Sequence, residues 1–254
     1  MPSPFRTADG AQLSFEDTGS GPALLLLHGL LGTRDDFARV FDLTALRRVR
    51  RVVAADARGH GRSTNPGGRF SFRTCAEDVL ALMDHLGIAQ AQAIGASLGA
   101  KTLLHVATLA PERVSALVLV SATPRFPDAT LALLRAAAAA PRSVDDWSAM
   151  RAQHRHGDAQ IEALWRVPAQ LADDPDGMAF SAAELAKIRA KTLIVSGDRD
   201  PLYPLELALE LYSGIRGSAL WVVPETGHLP IFGAQAPAFA DRALSWLGAS
   251  PLRP

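Results

Sequence analysis

The chain has 254 residues, with 26 Lys+Arg balanced by 26 Asp+Glu, 48% hydrophobic residues and 20% charged ones. That composition excludes wholesale disorder, and with no basic run or acidic tail it gives no pull towards nucleic acid. The length suits one large α/β domain with a small inserted subdomain, while the single cysteine, Cys75, excludes an intrachain disulfide and a cysteine-rich metal cluster.

Residues 1–6 have no apolar core of the signal-peptide kind, and no apolar run approaches membrane-spanning length. The expectation is therefore a cytoplasmic protein with neither membrane nor nucleic-acid partner. Residues 23–27 form a continuous apolar run ending at His28-Gly29, and residues 51–55 form another ending at Asp56. Cys75, Val79, Leu82 and Leu86 then recur at helical spacing, which makes Cys75 a core thiol. Residues 91–94 read as a short buried strand leading into Gly95-Ala96-Ser97-Leu98-Gly99, followed by an apolar helix over 98–110. Further apolar runs at 116–120, 192–195 and 219–223 end at Ser121, Ser196-Gly197 and Pro224, and Phe239, Ala243, Leu244 and Leu247 mark a last helical face.

Strands apolar on both faces belong inside a parallel sheet covered by helices, so the pattern predicts an α/β fold with a doubly wound, mostly parallel sheet. Between residues 124 and 188 the alternation breaks into several short helical patterns, including an alanine run and an acidic turn at 173–177. The expected division is a core of 1–123 and 189–254, with 124–188 inserted as a helical cap over the strand ends. In such sheets ligands sit outside the carboxyl ends of the strands, and every polar motif below follows such an end.

Gly95-Ala96-Ser97-Leu98-Gly99 has the G-x-S-x-G form in which small flanking residues let the chain bend sharply and lift a serine hydroxyl above the sheet. A serine hydroxyl needs a base to take its proton and a third group to orient that base. Gly227-His228-Leu229 supplies a histidine after a later strand, and Gly197-Asp198-Arg199-Asp200 offers two carboxylates between them. The helix beginning at Leu98 would aim its first N–H at a developing oxyanion.

With these motifs in order, the chain resembles the α/β-hydrolase superfamily of the esterase, lactonase and C–C hydrolase type over residues 13–247. His28-Gly29-Leu30-Leu31-Gly32 resembles that family's HG oxyanion loop. Residues 56–63 resemble its D-x-R-G-x-G-x-S loop, and residues 197–204 its G-x-x-D-x-x-x-P acid loop. The resemblance implies a triad of Ser97, Asp200 and His228 and oxyanion donors at the backbone N–H groups of Leu30 and Leu98. It leaves Asp198 to loop support, and His28, His60 and a carboxylate-held Arg58 to the scaffold. Ala96 departs from the larger or polar residue relatives often carry there.

The resulting expectation is a serine hydrolase cleaving a carboxylic ester, lactone or thioester through a Ser97 acyl-enzyme. Two alternatives stand beside it: cleavage of a C–C bond in a β-diketone-like substrate with the same triad, and a slow-turnover binding protein on a hydrolase scaffold. Trp147, Met150, Trp165, Met178 and Phe180 suggest an apolar or aromatic small-molecule substrate, although they could equally pack the cap onto the core. His85 and His105 read as solvated or locally satisfied; His154 and His156, near Arg151 and Arg155 in the cap, read as a solvated helix face, with a substrate carboxylate or phenolate as the alternative they could face. No cofactor or metal site is implied, because no ligand cluster or phosphate loop has the required spacing.

Overall fold

All six apolar runs become neighbouring parallel strands, since a strand apolar on both faces is stable only between two helical layers. The computed structural model describes residues 5–174 and 177–248. A short antiparallel pair, β1 (Phe5–Arg6) and β2 (Gln12–Leu13), precedes the main sheet. That sheet comprises β3 (Phe15–Thr18), β4 (Ala23–Leu27), β5 (Arg51–Ala55), β6 (Ala91–Ala96), β7 (Val114–Val120), β8 (Lys191–Gly197) and β9 (Ala219–Val223). Its spatial order is β3-β5-β4-β6-β7-β8-β9, and only β3 runs antiparallel to its neighbour. From β4 the chain moves outward to β5, then crosses back to β6 on the other side. The strand order thus reverses between β4 and β6, and a crevice opens at their carboxyl ends.

The helices are α1 (Leu43–Leu46), α2 (Phe72–His85), α3 (Leu98–Leu109), α4 (Asp128–Ala139), α5 (Val144–Gln153), α6 (Asp158–Ala172), α7 (Ala182–Leu185), α8 (Leu205–Gly214) and α9 (Ala236–Trp246). Strand alternation sends Leu25, Leu27, Ala93, Leu117 and Leu119 into one core with residues of α2 and α3. Leu24, Leu26, Ile94, Val118 and Val120 face the opposite layer, against Phe37, Phe41 and Phe239. Cys75 is buried on α2 beside the first core, and burial pushes its thiol well above the ordinary range. No described helix is long and apolar enough to cross a membrane.

Residues 124–188 hold α4 to α7 and, among the described residues, no strand beyond one isolated bridge from Arg125 to Ala179. Trp147 and Trp165 meet edge to face at 4.5 Å between α5 and α6. Met150, Trp165 and Met178 are buried in the same cluster as α2 and α3, with Trp147 and Phe180 packed against it. Of the two roles open to these five residues, packing onto the core is the one the structure displays. Pro175 and Asp176 of the acidic turn, like the first four residues, lie outside the described residues.

Two histidines require correction. His154, expected on a solvated face, is 3% exposed and closes α5 against the core loops. Its Nδ1 accepts the Gly61 N–H at 2.8 Å and its Nε2 lies 3.2 Å from the Leu31 carbonyl, so Nε2 carries the proton. His105 is buried as well: Nε2–H donates to the Gly177 carbonyl at 2.8 Å, tying α3 to the inserted segment. Both depend on residues about 70 to 120 positions distant, which local patterning does not reveal. His85 and His156 are exposed, in keeping with the sequence reading.

Candidate active site

The turn from β6 into α3 places Ser97 at φ 47°, left-handed backbone that a non-glycine residue adopts at a cost. Two backbone bonds hold it there: Ser97 N–H donates to Val120 O at 2.8 Å, and Gly99 N–H to His28 O at 3.0 Å. Side chains are excluded on either side of the serine. A Cβ at Gly95 would come within 2.5 Å of the Gly99 carbonyl carbon, and one at Gly99 would collide with the Leu27 carbonyl.

From this turn Ser97 Oγ reaches His228 Nε2 at 2.9 Å, and His228 Nδ1 lies 2.7 Å from Asp200 Oδ2. The second carboxylate oxygen of Asp200 accepts the N–H groups of Leu202 and Tyr203, which fixes the carboxylate plane. Asp200 therefore fixes Nδ1–H on His228 and leaves Nε2 as the acceptor for the serine hydroxyl. Asp198 is turned elsewhere, accepting the Thr226 N–H at 3.2 Å and so tying its loop to the one that carries His228, and backbone hydrogen bonding holds its carboxyl below the usual range. Ser97 is 8% exposed and the His228 side chain 20%, so the chain of groups is sheltered but reachable.

The histidine loop is anchored to the sheet. Leu229, at φ 59°, donates its N–H to Ser121 Oγ at 3.0 Å, and Ser121 is itself left-handed at φ 50°. Ser121 marked a strand end in the sequence, but its grip on the loop 108 residues later did not show there.

The backbone N–H groups of Leu30 and Leu98, the expected oxyanion donors, lie on the loop after β4 and at the start of α3. Leu98 is the first residue of α3, so its N–H has no partner within the helix. Neither N–H donates a hydrogen bond among the described residues. The loop carrying Leu30 passes directly over the serine: a Cβ on Gly29 would sit 3.8 Å from Ser97 Cβ. His28 shapes that loop, with Nδ1–H on the Gly29 carbonyl at 2.7 Å and Nε2 accepting Ala57 N–H at 2.9 Å. Burial holds the His28 imidazole below its ordinary value, which keeps it neutral for this double role. A cavity of about 240 Å³ adjoins the loop, lined by Gly29, Leu30, Leu31, Ala96, Leu229 and Phe232. The methyl group of Ala96 forms part of its wall.

One side chain at the site escaped the sequence reading. Lys101 is buried in α3 with Nζ 3.3 Å from Ser97 Oγ. Its signal was a lysine inside the apolar 98–110 helix, four residues after the serine and hence on the same helical face.

The remaining motif, residues 56–63, serves the scaffold. Asp56 accepts the N–H groups of Arg34 and Arg62, and the Ser63 hydroxyl donates to the Asp56 carbonyl. Arg58 makes a two-point pair with Asp78 at 2.7 Å and a further bond to Asp9 at 2.9 Å. Burial works against its charge, but the hydrogen bonds to Asp78 and Asp9 outweigh it and hold the guanidinium above its ordinary value. His60 is fully enclosed, with Nδ1 against the Arg58 carbonyl.

Comparison with known proteins gives the same family from an independent direction. The chain is 29% identical to the human serine hydrolase BPHL over 233 residues, 87% of this chain and 78% of that one. It is 41% identical over 123 residues to the dihydrolipoyllysine-residue acetyltransferase component of the acetoin cleaving system of Pseudomonas putida. That match covers 47% of this chain and 33% of the relative; the chain spans about a third of the length of this and several other curated relatives. The crystal structure of a hydrolase from Pseudomonas aeruginosa superposes with a TM-score of 0.77 at 29% identity, covering 97% of this chain and 98% of that one. Residues 22–164, more than half of the chain, match the alpha/beta hydrolase fold family, and the protein belongs to it.

Proposed function

We propose that the protein is a serine hydrolase that cleaves a carboxylic ester, lactone or thioester through an acyl-enzyme on Ser97. One observation carries the reading: the continuous relay from Ser97 Oγ through both His228 nitrogens to Asp200, with links of 2.9 and 2.7 Å. As Oγ attacks the carbonyl carbon, its proton passes to His228 Nε2, and Asp200 stabilises the imidazolium that forms. The carbonyl oxygen gains negative charge opposite the unengaged N–H groups of Leu30 and Leu98. Removing one such donor in a comparable site costs about 3–4 kcal/mol of transition-state stabilisation. His228 then returns the proton to the leaving oxygen or sulfur, and water repeats the sequence on the acyl-enzyme.

The cavity of about 240 Å³ beside Leu30, where Leu31, Leu229 and Phe232 share the lining with Asp36, Arg39 and Gln153, supports a small group with both apolar and polar surface on one side of the scissile bond. The test combines fluorophosphonate labelling with turnover of short p-nitrophenyl esters, using Ser97→Ala as control. Stoichiometric labelling of wild type and repeated turnover, both lost in Ser97→Ala, are the expected results. A wild type that resists labelling, or a Ser97→Ala variant as fast as wild type, would sink the reading. Labelling followed by a single turnover would favour a binding role instead.

A further inference from the structure

Lysine is among the residues least often fully buried, and when buried it is ordinarily paired. Lys101 is 2% exposed, and among the described residues it forms no ion pair. Its ammonium has three donors, and the oxygen they reach is Ser97 Oγ at 3.3 Å. The remaining surroundings are aromatic, with the Tyr203 ring centroid 4.5 Å from Nζ and that of Phe72 at 5.7 Å. Asp200, whose charge favours the cationic form, is taken up by His228 and two backbone N–H groups. Burial pushes the ammonium down to about 7, yet both its charged and neutral forms carry N–H donors. A buried amine without a carboxylate partner is a standing cost to the fold, and among the described residues its one polar contact is the atom proposed to react.

Resting on the reading of Ser97 as nucleophile, we propose that Lys101 is a second catalytic contact on that serine, a donor that keeps Oγ aimed at His228 and hydrogen-bonds to it while it carries negative charge. In the resting site Oγ–H donates to His228 Nε2 and one Oγ lone pair accepts from Lys101, leaving the other for the substrate carbonyl. On attack, the Oγ–C bond forms while the serine proton moves to His228 Nε2. In acyl-enzyme breakdown, water adds to the carbonyl and gives its proton to His228; the C–Oγ bond then breaks and Oγ recovers that proton from His228. Lys101 transfers no proton in either step. Its N–H lowers the energy of Oγ both as it sheds its proton and as it departs.

Packing and donation predict opposite orders for two substitutions, and that crossing is the test. Lys101→Met and Lys101→Gln are compared with wild type for the rate of fluorophosphonate labelling, kcat and KM on p-nitrophenyl acetate, and thermal midpoint. Lys101→Met is expected to lose about tenfold in labelling rate and kcat, the effect of one charge-assisted hydrogen bond, with KM little changed and a thermal midpoint at or above wild type. Lys101→Gln keeps a donor and so retains more of the rate, while being no more stable than the Met variant. An active wild type whose Met variant labels and turns over at the same rate would overturn the role of Lys101 and leave Ser97 standing. A Gln variant as slow as Met would also overturn it. A wild type that never labels removes both readings together. Lys101→Leu replaces the Met variant if that protein does not fold.

Discussion

Two clusters of buried polar groups lie at strand ends within this sheet, and they are built on opposite rules. In the loop after β5 the polar side chains are saturated apart from His60, whose Nε2 has no partner among the described residues. Arg58 has carboxylates on two sides, Asp56 accepts two backbone N–H groups, and Gln160 from α6 donates to the carbonyls of Gly59 and Gly61. At the ends of β4, β6, β8 and β9, among the described residues, polar groups are left open: the N–H groups of Leu30 and Leu98 have no acceptor and Lys101 has no ion-pair partner, beside an imidazole that is only partly sheltered. Saturation makes the first cluster a clamp between the core and the inserted helices. Unsaturation in the second stores binding capacity that a substrate could use.

If that contrast is right, substitutions should separate rate from stability according to cluster. The largest effect belongs to Ser97→Ala, expected to lower kcat by about 10⁶-fold with an unchanged thermal midpoint. Next comes Asp200→Asn, which disturbs the His228 tautomer and should lower kcat by about 10⁴-fold; Asp198→Asn should leave it unchanged. A steady-state assay of the two asparagine variants side by side breaks the contrast if their order is reversed. In the saturated cluster, Arg58→Met strands the Asp78 carboxylate in the interior and should cost about 3–5 kcal/mol in urea denaturation, with kcat per folded molecule preserved.

Acid sharpens the same division. Burial, first of all, holds His28, His60 and His154 below their ordinary value of 6.5, His60 well below it. The unfolded chain therefore takes up protons near pH 6.5 that the folded chain refuses. Stability is fully present above that value and is lost as pH falls towards the folded values. The urea midpoint should drop between about pH 7 and about pH 5, and His154→Gln should flatten that slope. Smallest is Gln160→Ala, where loss of the carbonyl bonds should cost about 1 kcal/mol in the same assay.

Sequence legibility followed the range of the forces involved. The strands were legible because runs such as 23–27 and 116–120 are apolar on both faces without a break, and only a sheet interior accepts that. The elbow was legible because Gly95 and Gly99 are required by atoms within the same turn or the adjacent strand. Asp200 was separated from Asp198 only by the resemblance to the family's acid loop, and its carboxylate is the one in contact with His228. His154 and Lys101 were opaque for a common reason. Each is polar, and its burial is imposed by segments remote in sequence, residues 31 and 61 for the histidine and Tyr203 for the lysine. Side chains that look suited to solvent can be identified as interior only once the elements covering them are placed.

The lone thiol of Cys75 has a practical corollary. Reactivity towards maleimides and iodoacetamides requires an accessible thiolate, and this sulfur is enclosed by α2 and the sheet with its ionisation driven out of the physiological range. A cysteine introduced at Val144, 85% exposed at the start of α5, would therefore be the single position a fluorophore or spin label marks, with the native residue left in place. The wild-type chain is thus already a suitable background for site-directed spectroscopy of the inserted helices.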